Sequence, residues 1–372
     1  MNQGVHAATQ DVLTEVRGQV GFITLNRPKA LNALSLPMIR TLTQTLLNWR
    51  DDENVRTVAV RGSNKHGVFG AFCAGGDIRF FHQAALAGNP QLEDFFTEEY
   101  ALNHLIHTYA KPCIAFMDGV VMGGGMGISQ GASVRLVTEH TRMAMPETLI
   151  GLFPDVGGGF FLSRCPGHAG EWLALSGEAI GADDAISMGL ADRRMPSSRL
   201  ADAWQALGSL DLDRADALGG WIDTYSTTPA REPIKNQADV NRFFSLPTMT
   251  QIMAALESAD SAWAQQTAAT LRKRSPLMLH VVLEQVRRAR GMSLADDLRM
   301  ERDMVRHCFN THHLARSGAA SETVEGVRAL AVDKDHSPQW VPARIEDVTP
   351  EMVAPFFESP WPKHAHPLGH LR

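Results

Sequence analysis

Cysteine is scarce in these 372 residues: Cys73, Cys113, Cys165 and Cys308 stand far apart, and no two form a CxxC pair. That spacing excludes a disulfide scaffold and a zinc knuckle, and it fits a reducing compartment. A basic excess is missing as well. The chain carries 35 Lys and Arg against 41 Asp and Glu, a net charge of −6, which argues against a dedicated nucleic-acid or anionic-membrane surface. No apolar run reaches membrane-spanning length. The opening MNQGVHAATQ has no charged-then-apolar leader and none of the arginines of a transit peptide, so the sequence points to a soluble, cytoplasmic protein. Nucleotide signatures are lacking too: the glycine run of DGVVMGGGMGIS (118–129) does not have GxGxxG spacing, and no GK[ST] follows it.

What is present is the 44% hydrophobic, 20% charged composition of an ordinary globular chain, too long for one small core. A core with an appendage is expected: a flexible N-terminus over 1–10, a catalytic core over 11–215, a helical region over 216–360 and a flexible tail over 361–372. Val12 to Val16 and Gln19 to Leu25 read as two strands turning at Arg17-Gly18. From Leu36 to Trp49 apolar residues return at helical spacing, and Val55 to Val60 reads as a short buried strand. Asp77 stands where it can begin a helix, and Gly88-Asn89-Pro90 breaks the helical stretch over 80–110. Residues 211 to 235 read as loop, and from Val240 onward helices dominate. The strand–helix rhythm is that of an α/β chain.

Two carboxylates draw attention in TRMAMPETLIGLFPDVGGGFFL, Thr141 to Leu162. Glu147 and Asp155 each follow a proline in an otherwise almost uncharged segment that runs into Gly157–Gly159. As turn residues they would be ordinary; in apolar surroundings they would be costly, and burial would raise their pKa toward values useful in acid–base work. Two glycine-rich loops precede them: GVFGAFCAGGDIR (67–79) and the run within 118–129. Such loops can present free backbone amides to an anion. Cys73 has no histidine beside it in a recognisable pattern and reads as a buried thiol. The Arg287-Arg288-Arg290 group can meet phosphates or simply close a helix. His364, His366 and His370 lack the framework of a metal site.

NRPKALNAL, AFCAGGDIR, the triple glycine of VMGGGMGIS and MPETLIGLFPDVGGGFFL together resemble, in order and spacing, the enoyl-CoA hydratase/isomerase (crotonase) superfamily. The resemblance implies a crotonase-like spiral of stacked ββα turns, with oxyanion-hole amides at Gly76 and Gly124 polarising a CoA thioester carbonyl. It also implies contacts to the substrate from Lys29, Ala30, Ala74 and Ile78.

The departures matter more. Hydratases of the family use two glutamates; here Gly127 stands at the first position, Glu147 keeps the second, and Asp155 replaces a glycine of the following turn. Glu147 with Asp155, the TEEY stretch that implies Glu99 rather than Glu98 facing substrate, and the tail VEGVRALAVDKDHSPQWVP (324–342) are similar to the 3-hydroxyisobutyryl-CoA hydrolase branch. That likeness implies hydrolysis of a short 3-hydroxyacyl-CoA in valine catabolism, with Glu147 and Asp155 catalytic, CoA arriving as part of the substrate, and no metal or other cofactor. Neither nucleic acid nor membrane is an expected partner. Family relatives are often trimers or hexamers, so a homo-oligomer is compatible with the likeness, although added C-terminal helices can cover that surface. An enoyl-CoA hydratase or isomerase working with Glu147 alone is the alternative, and a non-catalytic RNA- or protein-binding homologue a remoter one.

Overall fold

The computed structural model describes residues 11–372; the flexible N-terminus expected over 1–10 lies outside them. Strands β1 (Val12–Arg17) and β2 (Val20–Leu25) form an antiparallel hairpin about Gly18, with Val20 opposite Arg17. Helix α1 (Leu36–Asp51) follows and buries Met38, Ile39, Leu42, Leu46 and Trp49 on one stripe. Strand β3 (Thr57–Asn64) carries a two-residue flap, β4 (Gly67–Val68), and leads to α2 (Ile78–Ala87) and α3 (Gln91–His107). Asp77 caps α2 by accepting from the Phe80 amide.

Strand β5 (Cys113–Met117), β6 (Val120–Met122) and α4 (Gly124–Gln130) make the next turn. Strand β7 (Val134–Val137), β8 (Arg142–Ala144), a 3₁₀ turn at Glu147–Ile150 and α5 (Gly158–Leu162) make the one after. Helices α6 (Ala169–Ser176) and α7 (Ala182–Ser187) then lead to β9 (Arg193–Arg194). The main sheet runs β1-β2-β3-β5-β7-β9, parallel from β2 onward, with Val58 beside Cys113 and Ile114 beside Val134. A second, short layer pairs β6 with β8 in parallel and bridges Cys73 to Val121. Each turn of the chain thus contributes one strand to each layer before its helix, which is the spiral the sequence motifs imply.

One face of the sheet, with Phe22, Phe116 and Leu136, packs under α8 (Leu200–Leu207) and α9 (Ala217–Tyr225). Helix α9 lies in the stretch read from sequence as loop. Gly219-Gly220 obscures it, but Trp221 anchors it, buried and donating to the Ala203 carbonyl at 3.1 Å. The other face belongs to a hydrophobic core that draws buried residues from Val12 to Ala191 and again from Ile234 to Leu371. Into it pack α10 (Gln237–Phe244), α11 (Met249–Glu257), α12 (Ala262–Leu271), α13 (Pro276–Ala289), α14 (Leu294–Phe309) and α15 (Glu322–Val327), with α16 (Pro350–Val353) beside α13.

The segment 361–372, expected to be a flexible tail, is instead built into the fold. Leu368 and Leu371 are buried, Arg299 donates to the Leu371 carbonyl at 3.0 Å, and His104 Nε2 lies 2.9 Å from the Arg372 carbonyl. Two leucines in a run of His and Pro suffice to hold it down. Of its histidines, His366 faces Asp303 at 3.2 Å, and among the described residues no His, Cys, Asp and Glu group could hold a metal. Among those residues, too, no helix is long and apolar enough to cross a membrane.

Candidate active site

Three buried carboxyls meet at one small cavity of about 170 Å³: Glu99, Glu147 and Asp155. Each arrives on a different turn of the spiral. Glu99 stands on α3 with its side chain turned inward, whereas its neighbour Glu98 faces out and pairs with Arg40 at 2.6 Å. Glu147 opens the 3₁₀ turn after β8, and Asp155 precedes the glycines that begin α5. Ala74, Gly76 and Ile78 line the cavity from the first glycine-rich loop and Gly124 from the second. Lys29 and Ala30 do not. Lys29 is exposed, and the short helix Pro28–Ala30 sits behind the 74–76 loop, where Leu31 accepts from the Ala74 amide.

Gly76 and Gly124 both line the cavity with amides that no backbone ladder uses. Gly124 is the first residue of α4, so its N–H has no partner within the helix. Leu34 bonds to the Gly75 carbonyl and accepts from Asp77, leaving the Gly76 amide between them unused by any acceptor among the described residues. A side chain at position 124 would displace Glu99: a Cβ there would lie 2.5 Å from Glu99 Oε1. Gly75 holds φ at +109°, a conformation that turns the loop toward the cavity and that L side chains rarely adopt.

Burial dominates the electrostatics. The cavity lining contains no Lys, Arg or His, so the carboxyls resist ionisation together. Burial, then the neighbouring Asp155 and Glu147, push Glu99 well above the usual range; burial and Asp155 do the same to Glu147. Asp155 is pushed up to about 7 by burial, against a lowering by the Tyr100 hydroxyl, which donates to Oδ2 at 2.9 Å. Glu99 Oε1 and Glu147 Oε2 have no hydrogen-bond partner among the described residues. Buried carboxyls raised together in this way are the environment that acid–base chemistry uses.

The C-terminal helices fix this geometry. Gln285 on α13 donates to the Pro154 carbonyl at 2.7 Å, and Glu301 on α14 accepts from the Gly157 and Gly159 amides at 2.8 and 3.0 Å. Between those clamps Val156 adopts φ +57°, strained for a β-branched residue. On the Glu147 side, Ser275 donates its amide to the Thr148 carbonyl and Thr323 its hydroxyl to the Gly151 carbonyl at 2.7 Å. Leu330, on a single π turn after α15, lines the cavity itself.

Sequence reading missed Tyr100, Leu330, Gln285 and Glu301. Tyr100 adjoins Glu99 in the TEEY stretch and was open to discovery there. The other three lie more than a hundred residues away on helices whose register against the core no local pattern reveals. The arginines weighed as phosphate ligands have structural partners: Arg287 donates to the Leu246 carbonyl at 2.6 Å, Arg288 pairs with Glu284 and Arg290 with Glu171. Burial pushes the Cys73 thiol up to about 12, so it is inert.

Position 127 is closed. A Cβ on Gly127 would lie 2.6 Å from Val156 Cβ and 2.8 Å from Asn103 Nδ2. A glutamate there, as in the hydratases the sequence resembles, has no space.

The enoyl-CoA hydratase/isomerase family model matches residues 20–357. A 3-hydroxyisobutyryl-CoA hydrolase of Danio rerio is 39% identical over 95% of this chain and 90% of its own length. One from Rattus norvegicus is 38% identical with the same coverage of both chains. The crystal structure of a carnitinyl-CoA dehydratase from Mycobacterium thermoresistibile superposes with a TM-score of 0.83 at 35% identity, over 94% of this chain and 97% of that one. The fish and rat enzymes are named as mitochondrial, which overturns the cytoplasmic placement expected from the sequence. On these likenesses and on the site just described, the chain belongs to the enoyl-CoA hydratase/isomerase family, in its 3-hydroxyisobutyryl-CoA hydrolase branch.

Proposed function

We propose that the protein hydrolyses the thioester of a short 3-hydroxyacyl-CoA, 3-hydroxyisobutyryl-CoA before others, to the free hydroxy acid and CoA, a step of valine breakdown. One observation carries the reading. Glu147 and Asp155 stand buried, each held above the ordinary carboxyl range by that burial, at a cavity bearing two unused glycine amides, while position 127 has no room for the hydratases' other glutamate. The names of the fish and rat relatives support it, and the small cavity suits a short acyl group.

The amides of Gly76 and Gly124 take the carbonyl oxygen and stabilise the charge that gathers on it. Glu147 either removes a proton from the attacking water or adds to the carbonyl itself, giving an anhydride that water then opens. Asp155, oriented by Tyr100, binds the 3-hydroxyl or passes a proton. Glu99, beside Gly124, contacts the acyl group. Water oxygen ends on the acyl carbon, the C–S bond breaks, and the carboxyl cluster returns a proton to sulfur. Coenzyme A enters with the substrate, and the scheme calls on no metal or redox group. Ala74 and Ile78 bound the acyl chain, and Lys29 and Ala30, outside the cavity lining, are left to the CoA arm.

The test is thiol release from 3-hydroxyisobutyryl-CoA by the purified protein, with 3-hydroxyisobutyrate identified as the other product. Failure to release thiol from this substrate refutes the reading. A hydratase or isomerase function would show instead as turnover of an unsaturated acyl-CoA with the thioester intact.

A further inference from the structure

Among the described residues, Leu330 alone lines the carboxyl cavity from beyond Asp155. The rest of the apolar wall belongs to elements that also carry the chemistry. Ile78 and Phe81 follow the Gly76 loop on α2, and Leu149, Ile150 and Leu152 follow Glu147. A change of size at any of those presses on a segment that holds a reacting group. Leu330 stands instead on the π turn Arg328–Val332, which supplies no acid or amide to the cavity.

The turn is held by both walls. Helix α15, which runs into it, lies so close to the Glu147 segment that a Cβ on Gly326 would stand 2.4 Å from the Ile150 carbonyl carbon. Both α15 and the turn pack on α2, so this unit bridges the two apolar walls of the cavity. Within the turn the Asp333 amide donates to the Arg328 carbonyl, five residues back, at 2.9 Å. That widened register buries Ala329, leaves Leu330 half-buried at the cavity and turns Val332 out to solvent. Arg328 fastens the turn, pairing with Glu325 at 2.8 Å, Asp333 at 2.6 Å and Asp335 at 2.7 Å. The His336 amide adds a bond to the Ala329 carbonyl at 3.1 Å. A side chain on a turn held in this way presents a fixed surface to the substrate.

Resting on the hydrolase reading above, we propose that Leu330 is a specificity-determining residue that sets the upper size of the acyl group. Its side chain closes the cavity of about 170 Å³ to 3-hydroxyacyl chains longer than 3-hydroxyisobutyryl. The reacting groups are left where they are, because none of them stands on its turn. In a fitted apolar pocket one carbon more or less changes kcat/KM by about 10- to 200-fold.

The test compares thiol release from 3-hydroxypropionyl-, 3-hydroxyisobutyryl- and 3-hydroxyhexanoyl-CoA. Leu330→Ala removes three side-chain carbons, as many as 3-hydroxyhexanoyl-CoA carries beyond its C3. It is expected to raise kcat/KM for the hexanoyl substrate, relative to the isobutyryl one, by about tenfold or more. Leu330→Phe is expected to act in the other direction, lowering isobutyryl turnover relative to propionyl turnover by about tenfold. If Leu330→Ala does not fold, Leu330→Val reads a smaller shift of the same sign. Ratios within about twofold of those of the unaltered protein, in folded variants, overturn the proposal. So does a loss shared equally by all three acyl groups, which marks Leu330 as a wall of the CoA arm. In either case the unaltered protein still releases thiol and the hydrolase reading stands. Absence of thiol release by the unaltered protein overturns that reading, and the proposal with it.

Discussion

Gly127 and Val156 touch so closely that a Cβ on the glycine would lie 2.6 Å from the Cβ of the valine. The contact joins helix α4 to the strained turn that presents Asp155, so a side chain at 127 would press on that turn. Restoring the acid alone cannot restore a hydratase. Gly127→Glu is expected to cost about 1–3 kcal/mol through overpacking, and more for a further buried carboxyl. It is expected to gain no crotonyl-CoA hydration. A denaturation curve and a hydration assay on the variant check both parts, and appreciable hydration would contradict the steric argument.

Tyr100→Phe removes the hydroxyl that donates to Asp155. That bond lowers a pKa which burial has raised to about 7. Without it Asp155 ionises at higher pH, so the limb of the kcat/KM profile that belongs to Asp155 shifts to higher pH. Turnover at neutral pH falls roughly 3- to 10-fold. A profile superimposable on that of the unaltered protein would remove Asp155 from the titrating machinery.

Glu147→Gln keeps the shape of the side chain and deletes its basicity. Thiol release should fall by about 10²- to 10⁴-fold, with an unchanged circular dichroism spectrum and no loss of thermal stability, since the native carboxyl is buried with Oε2 unpaired. Retention of full activity would assign the chemistry elsewhere.

Stability should fall as the solution becomes alkaline. Burial raises Asp155, Asp297 and Glu322 to about 7, and Glu99, Glu147 and Glu301 well above the ordinary carboxyl range. Above about pH 4 the unfolded chain has released these protons while the folded one still holds them. The stabilisation is therefore complete below the unfolded pKa and is lost as pH rises through 7 and beyond, at about 1.4 kcal/mol per pH unit for each extra proton held. His280 and His307, lowered by burial, act in the opposite sense only below about 6.5. The melting temperature should thus drop between pH 6.5 and 8.5, less steeply in Asp297→Asn. A flat or rising curve over that interval would show the acids to be ionised in the folded state.

Legibility from sequence followed the range of the interaction. The hairpin about Gly18, the α1 stripe and the Asp77 cap depend on neighbours a few residues apart and were readable from period and turn chemistry. The inward turn of Glu99 and the two glycine amides came from motif likeness, because nothing local distinguishes Glu99 from Glu98 until Arg40 is seen to take the latter. Gln285, Glu301, Thr323 and Leu330 were not readable. Each acts on the 147–160 segment across a sequence gap of more than 125 residues, and their helices look in isolation like any amphipathic pair. Helix α9 and the packed end of the chain were missed for a simpler reason: glycine and histidine content outweighed a single buried Trp221 and a pair of leucines.

The account's central claim is that this carboxyl cluster cleaves a thioester rather than hydrating a double bond. The most direct measurement places one preparation in parallel assays, following thiol release from 3-hydroxyisobutyryl-CoA with a thiol-reactive dye and loss of the enoyl absorbance of crotonyl-CoA. Rapid thiol release with negligible hydration is the result predicted. Hydration of crotonyl-CoA without release of thiol from the hydroxyacyl substrate would contradict it.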